Sequence, residues 1–137
     1  MGRRMFLLLD TNVLIWLDQD NSSLGPKARK RADLALQQGR LAVSAISFWE
    51  IAMQVAKGRI TMALSPAVWR RDLLGMGLIE LPVDGEIGIA SAQINLHGDP
   101  ADRIIAATAQ MRGAVLMTAD QPLLQWNHAL ERCDARR

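Results

Sequence analysis

Residues 7–17 read LLLDTNVLIWL. The apolar run from Met5 to Leu9 is too short for a helix and reads as a buried strand. Thr11–Leu17 then starts a helix, with Asp10 or Thr11 as its cap. An ionised carboxylate set between two apolar stretches is costly unless it is paired, hydrogen-bonded or bound to a metal. Asp10 therefore marks the junction of strand and helix and is also the first candidate for chemistry.

The same alternation continues along the chain. NSSLGP at 21–26 closes the first unit, Lys27–Gln38 reads as a helix stopped by Gly39, and Leu41–Val43 as a second strand. Ser47 opens a helix with Phe48, Ile51, Ala52 and Val55 on one face and Gly58 at its end. Residues 66–75 follow as a helix with Pro66 in its first turn, and Leu78–Val83 as a strand ended by Pro82 and Asp84. Glu86–Asn95 is helical, Pro100–Arg112 is a helix terminated by Gly113, and Ala114–Thr118 is a last buried strand. Short apolar strands separated by helices predict a mainly parallel sheet covered on both faces, an α/β/α three-layer sandwich. Ligands in such sheets sit beyond the carboxyl ends of the strands, where the strand order switches.

Composition narrows the class. At 137 residues and half hydrophobic, the chain is expected to fold as one domain with its own core. The single Cys133 has no partner for an internal bridge and no zinc-like spacing, which fits a reducing, cytoplasmic setting. No signal-peptide pattern is visible, because Asp10 breaks the run after Arg3 and Arg4 and no cleavage site follows. No stretch reaches the roughly 18 apolar residues of a membrane span. Net charge is only +2, but Lys27, Arg29, Lys30 and Arg31 fall together. That run reads either as a solvated helix face or as a guide for phosphates.

Acids supply the chemical signal. Asp10, Glu50 in SFWEIA, Asp102 in DPADRIIAATA and Asp120 in LMTADQP all lie near strand ends or on helices flanking them. Each has a structural explanation: helix cap for Asp10, favourable helix end for Asp102, turn before Pro122 for Asp120, solvent-facing helix residue for Glu50. Brought into one crevice they would repel, and a hard divalent cation, Mg²⁺ or Mn²⁺, would supply the missing charge. Such a site suits hydrolysis of a phosphodiester by metal-activated water. Asn12 and Thr118 are supporting candidates that would hold a carboxylate or a water. Asp99, followed by Pro100, reads first as a helix cap and second as an accessory acid. The tryptophans Trp16, Trp49, Trp69 and Trp126 read as core or interface, the methionines Met53, Met111 and Met117 as core filler, and His97 as an exposed loop residue.

DTNVLIWL, SFWEIA followed by KGRI, HGDPADRIIAATA and LMTAD together resemble a PIN-domain protein of the VapC toxin type. The resemblance runs from about residue 5 to 126, in the family's order and spacing. It implies a Mg²⁺- or Mn²⁺-dependent endoribonuclease acting as the toxin of a type II toxin–antitoxin pair. Its acidic metal site falls on Asp10, Glu50, Asp102 and Asp120, with Asn12 and Thr118 alongside. It further implies a homodimer, held in a hetero-oligomer by a small VapB-like antitoxin whose C-terminal segment wraps the toxin. Two departures stand out. MGRR at 1–4 reads as an N-terminal extension, or Met5 as an alternative start, and the tail from 127 to 137 lacks a clear apolar strand, leaving the family's last edge strand short or missing.

Rival readings are weaker. An aspartyl-phosphate phosphatase wants a second acid two residues after Asp10, where Asn12 stands, and a receiver domain wants a lysine within residues 114–121, which hold none. A catalytically inactive PIN-like module that binds RNA or protein is the stronger alternative. Loss of an acid would signal it, and all are present.

Overall fold

The computed structural model describes residues 5–96 and 98–137. Residues 1–4 and His97 lie outside the described set, and with them the expectations placed on the extension and on that histidine. Five parallel strands form one sheet in the order β3-β2-β1-β4-β5: β1 (Leu7–Leu9), β2 (Leu41–Ser44), β3 (Ile79–Leu81), β4 (Val115–Thr118) and β5 (Arg132–Asp134). Between them run α1 (Thr11–Asp18), α2 (Pro26–Gln37), α3 (Ala45–Ala56), α4 (Pro66–Gly75), α5 (Gly85–Ala92), α6 (Pro100–Arg112) and α7 (Gln121–Gln125).

Strand alternation divides the core into two. Leu7 and Leu9 join Val13, Leu14, Ile51 and Met117 on one face, while Leu8 joins Ile105, Ala106, Ala109 and Leu116 on the other. A strand buried on both faces has no polar side, which is why β1 reads as an unbroken leucine run. Small residues bring two helices close to the sheet: Ala28, Ala32 and Ala35 at helical spacing on α2, and Ala106 and Ala109 on α6. Gly113, at φ 61°, ends α6 in the left-handed conformation that a side chain resists.

The parallel sandwich is as expected, and the differences are local. Ser44 rather than Ser47 caps α3, its side chain accepting a hydrogen bond from the Ile46 N–H at 3.1 Å. The last strand is present as three residues: Leu116, Met117 and Thr118 pair with Arg132, Cys133 and Asp134. An edge strand is covered on fewer sides, so its half-buried Arg-Cys-Asp needs no apolar run. The α7 turn after Asp120 was not expected. Trp69 is buried, but Trp49 is 54% and Met111 42% exposed, so these two are not core.

From β1 the chain builds toward β2 and β3, and later returns to the opposite side of β1 as β4. Connections leaving β1 and β4 therefore diverge and open a crevice at their carboxyl ends. Asp10 directly follows β1, and Asp120 follows β4 by two residues.

Candidate active site

The crevice is a cleft of about 730 Å³, and Asp10, Asn12, Glu50, Asp99, Asp102 and Asp120 all line it. The structure thus brings together every sequence-nominated residue except Thr118, which lies just beneath.

Asp10 sits deepest, 8% exposed. Its Oδ1 accepts from the Thr11 N–H at 2.8 Å, and its Oδ2 from the Thr118 hydroxyl at 2.7 Å. The cap reading of Asp10 is therefore realised, in a side chain that also lines the cleft. Burial pushes its carboxyl above the ordinary range, opposed by the two hydrogen bonds. Thr118 is fully buried at the end of β4, and while its hydroxyl donates to Asp10 the same oxygen accepts from the Asp120 N–H at 3.0 Å. One hydroxyl so ties the strand ends that carry Asp10 and Asp120.

Glu50 reaches the cleft from the second turn of α3. The Thr11 hydroxyl donates to its Oε1 at 2.5 Å, and the Ser47 hydroxyl lies 2.8 Å from the same Thr11 oxygen. Because Thr11 has one proton and gives it to Glu50, Ser47 must donate to Thr11. This Ser47–Thr11–Glu50 chain is missing from the sequence reading. Its available signal was spacing: Ser47 stands one helical turn before Glu50, and Thr11 adjoins Asp10.

Asp99 is the cap of α6, accepting from the Ala101 N–H at 3.0 Å, and still lines the cleft. Asp102 occupies the first turn of that helix. Desolvation, then the charges of Asp10, Asp120, Glu50 and Asp99, push the Asp102 carboxyl up to about 7. Glu50 is raised to about 6 by desolvation and by Asp99 and Asp10, against the Thr11 hydrogen bond. Asn12 is exposed on the cleft wall. Two cations that the sequence reading did not nominate for the site line the same cleft, Arg59 of the KGRI stretch and Arg136 near the end of the chain.

As donors for a cation these groups are hard oxygens throughout, and their mutual repulsion is what a bound cation would relieve. Among the described residues no three acidic, histidine or cysteine side chains converge into a ready-made metal cage. The chemistry of the donor set fits Mg²⁺ or Mn²⁺; binding would have to draw the half-exposed acids inward.

Comparison with known proteins agrees with this fold. The PIN domain family model matches residues 7–125. The chain is 31% identical over 126 residues to Ribonuclease VapC22 of Mycobacterium tuberculosis (strain ATCC 25618 / H37Rv), covering 89% of this chain and 92% of that protein. Among solved structures, VapBC-1 from nontypeable Haemophilus influenzae is similar with a TM-score of 0.67 and 25% identity, covering 97% of this chain and 100% of that one. VapBC2 from Rickettsia felis, bound to a DNA fragment from its promoter, shares the fold with a TM-score of 0.70 at 16% identity, over 95% and 98% of the two chains. From the sheet order, the acidic cleft and these matches together, the chain belongs to the PIN-domain family, among its VapC-type members.

Proposed function

We propose that this chain is a divalent-metal-dependent endoribonuclease and the toxin of a type II toxin–antitoxin pair. The observation that carries the reading is the convergence of Asp10, Glu50, Asp102 and Asp120 on one cleft at the topological switch of the sheet. The relative at 31% identity is a ribonuclease by name, which supports RNA as the substrate.

Asp10, Glu50, Asp102 and Asp120 would hold Mg²⁺ or Mn²⁺. When bound, such an ion polarises the phosphodiester and lowers the pKa of water. The chain's own residues do the positioning. Thr118 fixes the rotation of the Asp10 carboxylate, and Thr11, backed by Ser47, fixes Glu50. Glu50 and Asp102, raised by burial and by neighbouring acids, are the two acids that would have to be ionised to hold the cation. Asn12 and Asp99 complete the wall as supporting groups. The cleft lining among the described residues contains no histidine, cysteine or serine, and its one threonine hydroxyl is committed to Glu50, so attack falls to water.

A VapB-like antitoxin is the proposed partner, in keeping with the VapBC neighbours. A homodimer would cover exposed apolar side chains such as Trp49 on α3 and Ile89 on α5, 54% and 69% exposed. No helix among the described residues is long and apolar enough to cross a membrane, and a cytoplasmic site of action is proposed alongside the free Cys133.

Purified protein incubated with labelled cellular RNA tests the reading. Cleavage is expected with Mn²⁺ or Mg²⁺ and lost with EDTA or in Asp10→Asn. Cleavage that survives chelation or the substitution would sink the metal mechanism; RNA binding without cleavage under any cation would favour the inactive binding module.

A further inference from the structure

The last residues of the chain run beside the cleft, held on both sides. The Ala135 N–H donates to the Thr118 carbonyl at 2.9 Å, the Gly25 N–H to the Ala135 carbonyl at 2.8 Å, and the Ala28 N–H to the Arg137 carbonyl at 3.0 Å. Ala135 is fully buried, and a Cβ added to Gly25 would stand only 2.1 Å from the Arg137 oxygen. This segment is therefore seated between β4 and the start of α2, and it carries Arg136 into the cleft wall.

Arg136 differs from the arginines whose charge is already spent, and it shares the cleft with Arg59, whose side chain likewise has no ion pair among the described residues. Arg132 spends its guanidinium on the carbonyls of Leu123, Trp126, His128 and Leu130. Arg29 pairs with Asp20, Arg70 with Glu80 and Arg112 with Asp84. The Arg136 guanidinium makes one hydrogen bond, from Nη1 to the Ala119 carbonyl at 3.3 Å, and no ion pair among the described residues, while its backbone N–H donates to Asp134 Oδ1 at 3.0 Å. A guanidinium has five N–H donors, so most of its fork is free for a planar or tetrahedral anion. It lines the cleft with Asp10, Asp102 and Asp120, where an RNA phosphate must be held near acids that would otherwise repel it.

The surface beyond Arg136 is also basic. Lys27 and Arg31, four residues apart, share a flank of α2 and are exposed. That flank faces the tail: Ala28 binds Arg137, and Arg31 lies near enough to Cys133 on β5 for its charge to act on the thiol. Lys30 belongs to a different flank, lining a shallow groove with Arg29, Asp33 and Gln37.

We propose that Arg136 anchors a backbone phosphate of the RNA in the cleft, and that Lys27 and Arg31 continue from it as the track along which the strand leaves. This rests on the nuclease reading and adds to it the path of the substrate. It also divides the basic run: Arg29 is paired and Lys30 points elsewhere along the helix, so only Lys27 and Arg31 belong to the track.

The test is fluorescence anisotropy of a short labelled single-stranded RNA, titrated with the Asp10→Asn protein in Mg²⁺ across about 50–200 mM salt. Each lost phosphate contact on a single strand lowers the slope of log K against log salt by about 0.7. Arg136→Gln should lower it by one such step, Lys27→Gln with Arg31→Gln by two, and Lys30→Gln by none; Arg136→Lys should keep the slope. Circular dichroism checks that each variant is folded. Unchanged slopes in the Arg136 and Lys27/Arg31 variants, or an equal loss in Lys30→Gln, would overturn the track while leaving the nuclease reading standing. A parent protein that binds no RNA at low salt would overturn the nuclease reading and the track with it.

Discussion

Asp102→Asn should make the metal-free protein more stable at pH 8 and do so by less than half as much at pH 5. The Asp102 carboxyl is raised from 3.8 to about 7, first by desolvation and then by the acids around it. In the unfolded chain it ionises near 4, so between about 4 and 7 the folded state keeps a proton that the unfolded state has released. Stability thus falls as pH rises through this window and is lowest, from this group, above pH 7. A shift of about three units corresponds to about 4 kcal/mol if taken whole, at about 1.36 kcal/mol per unit. Asp102 is only half buried, and solvent screening reduces that to about 1–2 kcal/mol. For a chain of this size that is a rise of about 3–8 °C in Tm. The assay is thermal unfolding of both proteins in EDTA at pH 5 and pH 8, repeated with Mn²⁺. A cation should stabilise the parent and do less for the variant. A variant melting at or below the parent at pH 8, or one whose advantage is as large at pH 5 as at pH 8, would refute the repulsion account of the cleft.

Two further perturbations follow from the packing around the site. Thr11→Val removes the hydrogen bond that lowers the Glu50 carboxyl, so Glu50 should rise above about 6 and the acid limb of the pH–cleavage profile should move to higher pH; an unmoved limb would remove Glu50 from the ionisations that control activity. Gly25→Ala drives a methyl into the Arg137 carbonyl, and overpacking of this kind costs about 1–3 kcal/mol. Urea denaturation should show that loss together with weaker RNA binding, whereas full stability would mean the tail is not seated against α2.

Much of this was legible in the sequence because the signals were local. The leucine run of β1, Pro100 and Gly113 at the ends of α6, and the acids beside strand ends each state their own surroundings. What escaped was long-range. Thr11 and Ser47 meet across 36 residues, and nothing in either segment shows that a threonine hydroxyl will be spent on Glu50. Strand β5 is set by pairing with β4 rather than by its own Arg-Cys-Asp, and Arg136 gains its place only through that pairing. For Trp49 the sequence left core and interface undivided, since helical periodicity gives a face but not what covers it, and the exposure excludes the core.

The position of Asp10 explains why the site can exist at all. Clustered carboxylates destabilise the fold, so they need a frame whose own stability does not depend on them. β1 is the centre of the sheet, with β2 and β4 as neighbours and leucines buried on both faces, and truncating any one of them to alanine would cost about 2–5 kcal/mol. A loop would relax under the repulsion by moving its acids apart. The end of a central strand does not move, and Thr118, Thr11 and Ser47 lock the carboxylates to it through hydroxyl groups that carry no charge of their own. Neutral donors orient the acids without satisfying their charge. The unmet negative potential is then what the proposed cation would satisfy, and replacing Thr118 with lysine or arginine would remove the demand on which that binding would depend.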